Sequence, residues 1–240
     1  MASAPRREAR PWWHWLAADP QHGTLPLVLL WITCVTGVVD AVSILSLGRV
    51  FVANMTGNVV FIGFALAGAP GFSVSASLFA LAGFLSGALL AGAVIRRIAD
   101  RRLMLLRGLT AELCLVGLAL LASIAAGPNL TGGALNGIAA AIAVAMGIQN
   151  AVARKLAIPD LTTTVLTLTL TGLVADRPGA TSPGAVTRRI WSVAAMLSGA
   201  IAGATIVLNS GPSQALALVV GLLFCAAVVA FARPEPAQSR

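Results

Sequence analysis

Apolar residues dominate this 240-residue chain in long runs, at about 25–47, 50–69, 77–95, 103–126, 134–153, 161–175, 189–208 and 214–232, joined by short polar connections. The runs are sustained, without the alternation of a membrane β-barrel. They therefore read as helices in lipid, where backbone polar groups must be satisfied within the segment. A helix needs about 20 residues to cross roughly 30 Å of hydrocarbon. The run 161–175 would reach only about 22 Å at 1.5 Å per residue. The run 50–69 is long enough, but it opens on Asn54, Thr56, Gly57 and Asn58, which leaves half a span from Val59 onward. The pattern predicts an all-α integral membrane protein with six transmembrane helices and two short re-entrant or half-helix elements.

Composition agrees with the pattern. Hydrophobic residues make up 58% of the chain and charged residues 10%, against roughly 25% charged in a soluble domain, so the lipid bilayer is the expected partner. The net charge of +8 would suggest nucleic acid in a soluble protein. Here the arginines sit in the connections, where they fix orientation, and no nucleic-acid partner is expected. The basic stretches are the leader (Arg6, Arg7, Arg10), 96–107, Arg154 with Lys155, 177–189, and the tail with Arg233 and Arg240. If all eight runs crossed, the leader and the 96–107 stretch would fall on opposite sides. If 50–69 and 161–175 enter and return on one face, every basic stretch is cytoplasmic. The connections 70–76, 127–133 and 209–213 are then outside and uncharged, and Arg49 alone is misplaced. Both termini are expected in the cytoplasm.

The leader, residues 1–24, combines arginines with Trp12, Trp13 and Trp15 and lacks the apolar core of a cleavable signal. Cys34, Cys114 and Cys225 lie in apolar runs without CxxC spacing and read as packing residues. His14 and His22 both lie in the leader, so no metal site and no cofactor is expected in the membrane.

The halves of the chain resemble each other. "GVVDAV" at 37–42 matches "GIQNAV" at 147–152, offset by 110. "NMTGNV" from Asn54 matches "VLTLTL" from Val165 at 111, and "LSGALLAGA" from Leu85 matches "LSGAIAGAT" from Leu197 at 112. The collinear matches divide the chain into repeat one (25–126), an external loop (127–133), repeat two (134–232) and a tail (233–240). Each repeat reads as span, re-entrant element, span, span. Three crossings invert the second copy relative to the first, an arrangement found in transporters with a site near the midplane.

Polar residues inside the runs are the candidate site. A carboxylate in the membrane costs about 2.5–3.5 kcal/mol, so Asp40 needs a partner or a wet cavity, and Asn150 is its repeat-mate. Asp40 reads either as a binding carboxylate or as a hydrogen-bond partner for nearby unwound backbone. Asn54, Thr56 and Asn58 form the densest polar cluster, mirrored by Thr163, Thr164 and Thr167 in the threonine-rich run. That run is either a helix with Thr163, Thr167 and Thr171 on one face or a short extended piece, with Asp160 a candidate N-cap. If the polar limbs lead and the apolar halves return as helices, both half-helix N-termini point inward and favour an anionic or neutral polar solute. Glu112 and Arg49 are secondary candidates for the pathway. Glu112 reads either as part of a proton path or, preferably, as a structural partner of Arg107 or Arg154. The pairs Gly83/Gly87 and Gly199/Gly203 read as sites of close helix packing.

The segments "GVVDAVSILSLGRVFVANMTGNVV" and "GIQNAVARKLAIPDLTTTVLTLTLTGL" resemble the two hallmark segments of the YoaK-type family of bacterial inner-membrane proteins, over about residues 25–232. The resemblance implies a multi-pass protein of the inner membrane and no established substrate. Leu168 stands where that family usually has glycine, so the counterpart of Gly57 is missing from repeat two. The expected function is a small transporter or channel. The alternative is a non-transporting scaffold or accessory subunit, with the glycine pairs as interfaces that also suit a homo-oligomer. An enzyme is not expected, because no nucleophile–base constellation lies in the spans.

Overall fold

Eight helices follow one another in the computed structural model, which describes residues 23–127, 131–158, 161, 166–176 and 184–232. They are α1 (Leu25–Ser46), α2 (Met55–Leu66), α3 (Val74–Ile95), α4 (Arg101–Ala126), α5 (Gly132–Leu156), α6 (Leu166–Ala175), α7 (Ala185–Ser210) and α8 (Pro212–Ala232). Six of them, all but α2 and α6, have 21 to 26 residues and are apolar enough to cross a membrane. The other two have 12 and 10 residues, about 18 and 15 Å of helix. The six spans and two half-helices expected from hydropathy are present. Residues 1–22 of the leader, Asp160, Thr163, Thr164 and the tail 233–240 lie outside the described residues.

Helix ends run past the apolar runs where a cap permits it. Helix α3 starts at Val74 because the Ser73 hydroxyl accepts from the Ala76 N–H at 3.3 Å. Helix α4 starts at Arg101 because the Asp100 carboxylate accepts from the Leu103 N–H at 3.0 Å. Both caps satisfy donors that the first turn leaves open. The threonine-rich stretch resolves as helix from Leu166, with the Thr171 hydroxyl donating back to the Thr167 carbonyl at 2.9 Å.

Helices α1, α8, α4 and α5 pack in a ring, each against the next. Helix α7 lies on α1, helix α3 lies on α5, and the half-helices α2 and α6 lie on α3 and α7. Two arginines of the 96–107 stretch tie one end of this bundle together. Arg101 donates to the Leu156 carbonyl at 2.5 Å, and Arg102 donates to the carbonyls of Ala230 (3.2 Å) and Phe231. Carbonyls at the C-termini of α5 and α8 thereby gain cationic partners. The start of α4 and the ends of α5 and α8 share one end of the bundle.

Glycine sets the closest crossings. A Cβ on Gly37 of α1 would run into the Met196 carbonyl oxygen of α7 and lie 2.8 Å from the Ala200 nitrogen. A Cβ on Gly147 of α5 would run into the Phe84 carbonyl oxygen of α3 and lie 2.9 Å from the Ala88 nitrogen. Conversely, Gly87 of α3 faces the Val144 carbonyl and Gly199 of α7 faces the Cys34 carbonyl. These contacts map onto each other at the same offsets of 110 and 112 that relate the sequence matches. Helix packing in lipid relies on such close backbone approach, and packing is the role found for Gly83, Gly87, Gly199 and Gly203.

Candidate functional site

Between α1 and α2 the chain is not helical, yet Leu47, Val50, Val52 and Ala53 are each no more than 3% exposed. Irregular backbone at membrane depth survives only under such protein cover. Asn58, fully buried on α2, holds this extended limb in place. Its Oδ1 accepts from the Phe51 N–H at 2.9 Å, and its Nδ2 donates to the Phe51 carbonyl at 2.5 Å and contacts the Met55 sulfur. The side-chain amide thus stands in for a neighbouring strand, and its polar atoms are taken up by the fold.

The aromatic side chains follow the same hairpin. Phe51 stacks on Phe61 of α2 with centroids 5.4 Å apart, and Phe72 packs on Phe61 and Phe64. Gly57 leaves the room this needs, since a Cβ there would overlap the Phe51 ring. The glycine is a space requirement rather than a flexible point. Arg49, exposed and at φ 55°, lies against Gly71, where a Cβ would come within 2.7 Å of its guanidinium. The limbs before and after α2 therefore meet where Arg49 lies against Gly71. Arg49 marks the mouth of that hairpin.

Asp40 sits at the inner end of the hairpin. It is six residues from the end of α1, about 9 Å along the helix. The Ala53 backbone amide hydrogen-bonds to its carboxylate, while Oδ1 is enclosed with no hydrogen-bond partner. Asn54 occupies the N-cap position of α2 but makes no capping hydrogen bond, and Asn54 and Thr56 are exposed. The first-turn amides of α2 consequently lack a side-chain acceptor. The Ala53 amide thus ties the Asp40 carboxylate to the residue just before the N-cap of α2.

In repeat two, Asn150 is half-buried and donates to the Met146 carbonyl at 2.9 Å. On α6, Thr167 is exposed and Thr169 is the buried threonine. Among the described candidates, Asn58 is tied to Phe51 in repeat one, while in repeat two Asn150 bonds to Met146 and Thr167 to Thr171, each within its own helix.

Glu112 departs from the expected pairing. It is 1% exposed, its Oε1 has no hydrogen-bond partner, and no ion pair joins it to Arg107 or Arg154 among the described residues. Glu112 and Arg107 are five residues apart, which places them about 140° apart around a helix of 3.6 residues per turn. Arg154 is exposed on α5, while Glu112 faces inward with Gly108, Leu109 and Val116.

A second buried polar group escaped the sequence reading. Gln149 of α5, 3% exposed, donates from Nε2 to the Thr36 hydroxyl of α1 at 2.9 Å. Thr36 donates onward to the Ile32 carbonyl at 2.9 Å, and Gln149 Oε1 is unpartnered. This bond joins the first helix of one half to the first helix of the other. The available signal was an amide beside Asn150 within an apolar run. A cavity of about 160 Å³ lies elsewhere, between α3, α4 and α5, and does not include Asp40.

Comparison with known proteins places this architecture. Residues 28–229 match the family described as "Protein of unknown function (DUF1275)". The chain is 36% identical over 152 residues to the UPF0700 transmembrane protein YoaK of Bacillus subtilis (strain 168), covering 63% of this chain and 67% of that one. No solved structure matches.

Proposed function

Since the chain belongs to the DUF1275 family of unknown function, we propose its activity from the geometry: a small transporter or channel that binds a small polar solute at Asp40. One observation carries this reading. The Asp40 Oδ1 atom is enclosed without a partner at the inner end of a hairpin whose two limbs meet at Arg49 and Gly71. An unsatisfied buried acceptor is costly. Glu112 shares that feature, but of the two Asp40 alone lies against the irregular backbone of the hairpin.

The neighbouring groups favour a neutral solute over an anion. Asp40 stands beside the positive end of α2 and offsets the attraction that this helix terminus would have for an anion. A hydroxyl- or amide-bearing solute can donate to Oδ1 and accept from the first-turn amides at once. The equivalent glycine crossings of α1 with α7 and of α5 with α3 support an inverted-repeat arrangement. In this reading the protein is a conduit rather than an enzyme. The basic connections favour both termini in the cytoplasm by the positive-inside rule, and the resemblance to YoaK-type proteins favours a bacterial inner membrane.

The test is a thermal-shift screen of neutral polyols, amides and small anions, followed by flux of any stabilising solute into proteoliposomes. A bound solute raises stability by mass action. Asp40→Asn is expected to remove both the shift and the flux while leaving unliganded unfolding near wild type. If no solute moves and Asp40→Ala leaves the host phenotype intact, the protein is a scaffold. Selective cation passage would also sink the proposal.

A further inference from the structure

The cavity between α3, α4 and α5 opens toward the membrane, with Leu90 and Val94 on its rim at 61% and 50% exposure. Its wall is apolar apart from one group, Arg107. Gly108 and Ala111 of α4 line it opposite Ile148 and Val152 of α5. Carrying the 112-residue offset into α8 places Val219, Val220 and Leu223 where α4 has Arg107, Gly108 and Ala111. In that half Val219 and Leu223 are fully buried. Larger apolar side chains stand at these positions of α8, and the charge is present only in α4.

Arg107 is exposed and no carboxylate pairs with it among the described residues. It lies six residues into α4 from Arg101, about 9 Å below the helix start. From that depth an arginine extends its head to the headgroup layer while its stem covers apolar surface. Arg96 and Arg97, both exposed, end α3 at the same basic end of the bundle. Basic pockets between helices at such an end suit anionic lipid headgroups.

We propose that this cleft seats one acyl chain of an anionic phospholipid whose phosphate is held by the Arg107 guanidinium. The apolar wall accepts the chain, and the unpaired cation at its mouth selects the headgroup. The site is separate from Asp40.

Delipidated protein in detergent, titrated with phosphatidylglycerol or phosphatidylcholine of the same chains and read by native mass spectrometry, tests this. Wild type is expected to retain one phosphatidylglycerol in preference to phosphatidylcholine. Arg107→Gln should weaken that binding about five-fold, the equivalent of about 1 kcal/mol for one basic group near the headgroups. Arg107→Lys should keep most of the preference, and Ala111→Leu, which fills the cleft, should lower binding of both lipids. Arg154→Gln should change neither. Equal retention of the two lipids by wild type overturns the proposal. So does phosphatidylglycerol binding that neither Arg107→Gln nor Ala111→Leu alters, and so does a dimer that Ala111→Leu dissolves, which would make a second copy of the chain the occupant.

Discussion

Replacing Gly199 by alanine probes whether the α1–α7 crossing is as tight as its geometry indicates. The new Cβ would run into the Cys34 carbonyl oxygen and lie 2.9 Å from the Cys34 carbonyl carbon. Ordinary contact begins near 3.4 Å, so the overlap with the oxygen requires the helices to part by about an ångström or more, and neither atom is the movable end of a side chain. Overpacking of this kind costs about 1–3 kcal/mol, and a backbone clash belongs at the upper end. Alanine recovers about 1 kcal/mol through its higher helix propensity. The net loss is then about 2 kcal/mol, a fall in Tm of about 4–8 °C for a chain of this size. Gly92→Ala is the control, because nothing lies within 4 Å of its Cβ position, and it should unfold at or above the wild-type temperature. Gly87→Ala, which meets the Val144 carbonyl in the equivalent crossing, should match Gly199→Ala. Thermal unfolding in detergent, followed by tryptophan fluorescence, gives all three values. If Gly199→Ala unfolds together with Gly92→Ala, the tight-crossing argument is wrong.

Asn58→Ala should leave the Phe51 N–H and carbonyl without their partner, a loss of about 1–3 kcal/mol, seen as faster hydrogen exchange at residues 50–54. Gly57→Leu, which copies the residue that repeat two carries at Leu168, should displace the Phe51 ring and expose the same segment to proteolysis. Gln149→Leu should change stability by less than about 1 kcal/mol or raise it, since it removes an unpartnered buried acceptor along with one hydrogen bond; a large loss in a thermal melt would show that the Thr36 link is structural. Asp176→Asn breaks a 2.6 Å pair with Arg189, but Asp176 is 39% exposed, so the effect should stay below about 1 kcal/mol and vanish in high salt.

Hydropathy and span length made six helices and two half-helices legible, because the bilayer imposes one length scale on every crossing. Helix starts were less legible. At Val74 and Arg101 polar caps extend the backbone ladder beyond the apolar run, and a count of apolar residues does not register Ser73 or Asp100. At Asp40 the composition pointed to a carboxylate inside the first span, and the structure finds one of its oxygens enclosed without a partner. The identity of its backbone partner, Ala53, depends on how an irregular limb folds back, which no periodicity encodes. Glu112 was assigned to a nearby arginine on linear distance, although helical phase puts the two on different faces. Gln149 was passed over because its neighbour Asn150 aligned with Asp40. Gly57 needed knowledge of where the Phe51 ring goes.

The crossed pairing of helices has a consequence for biosynthesis. Helix α1 leaves the ribosome well before α7, its closest partner, which begins at residue 185 and ends at residue 210. Until then the groove around Gly37 and Cys34 has only lipid or the insertion machinery to cover it. The first half must wait in the bilayer unfinished, with the face of α1 that will meet α7 still open.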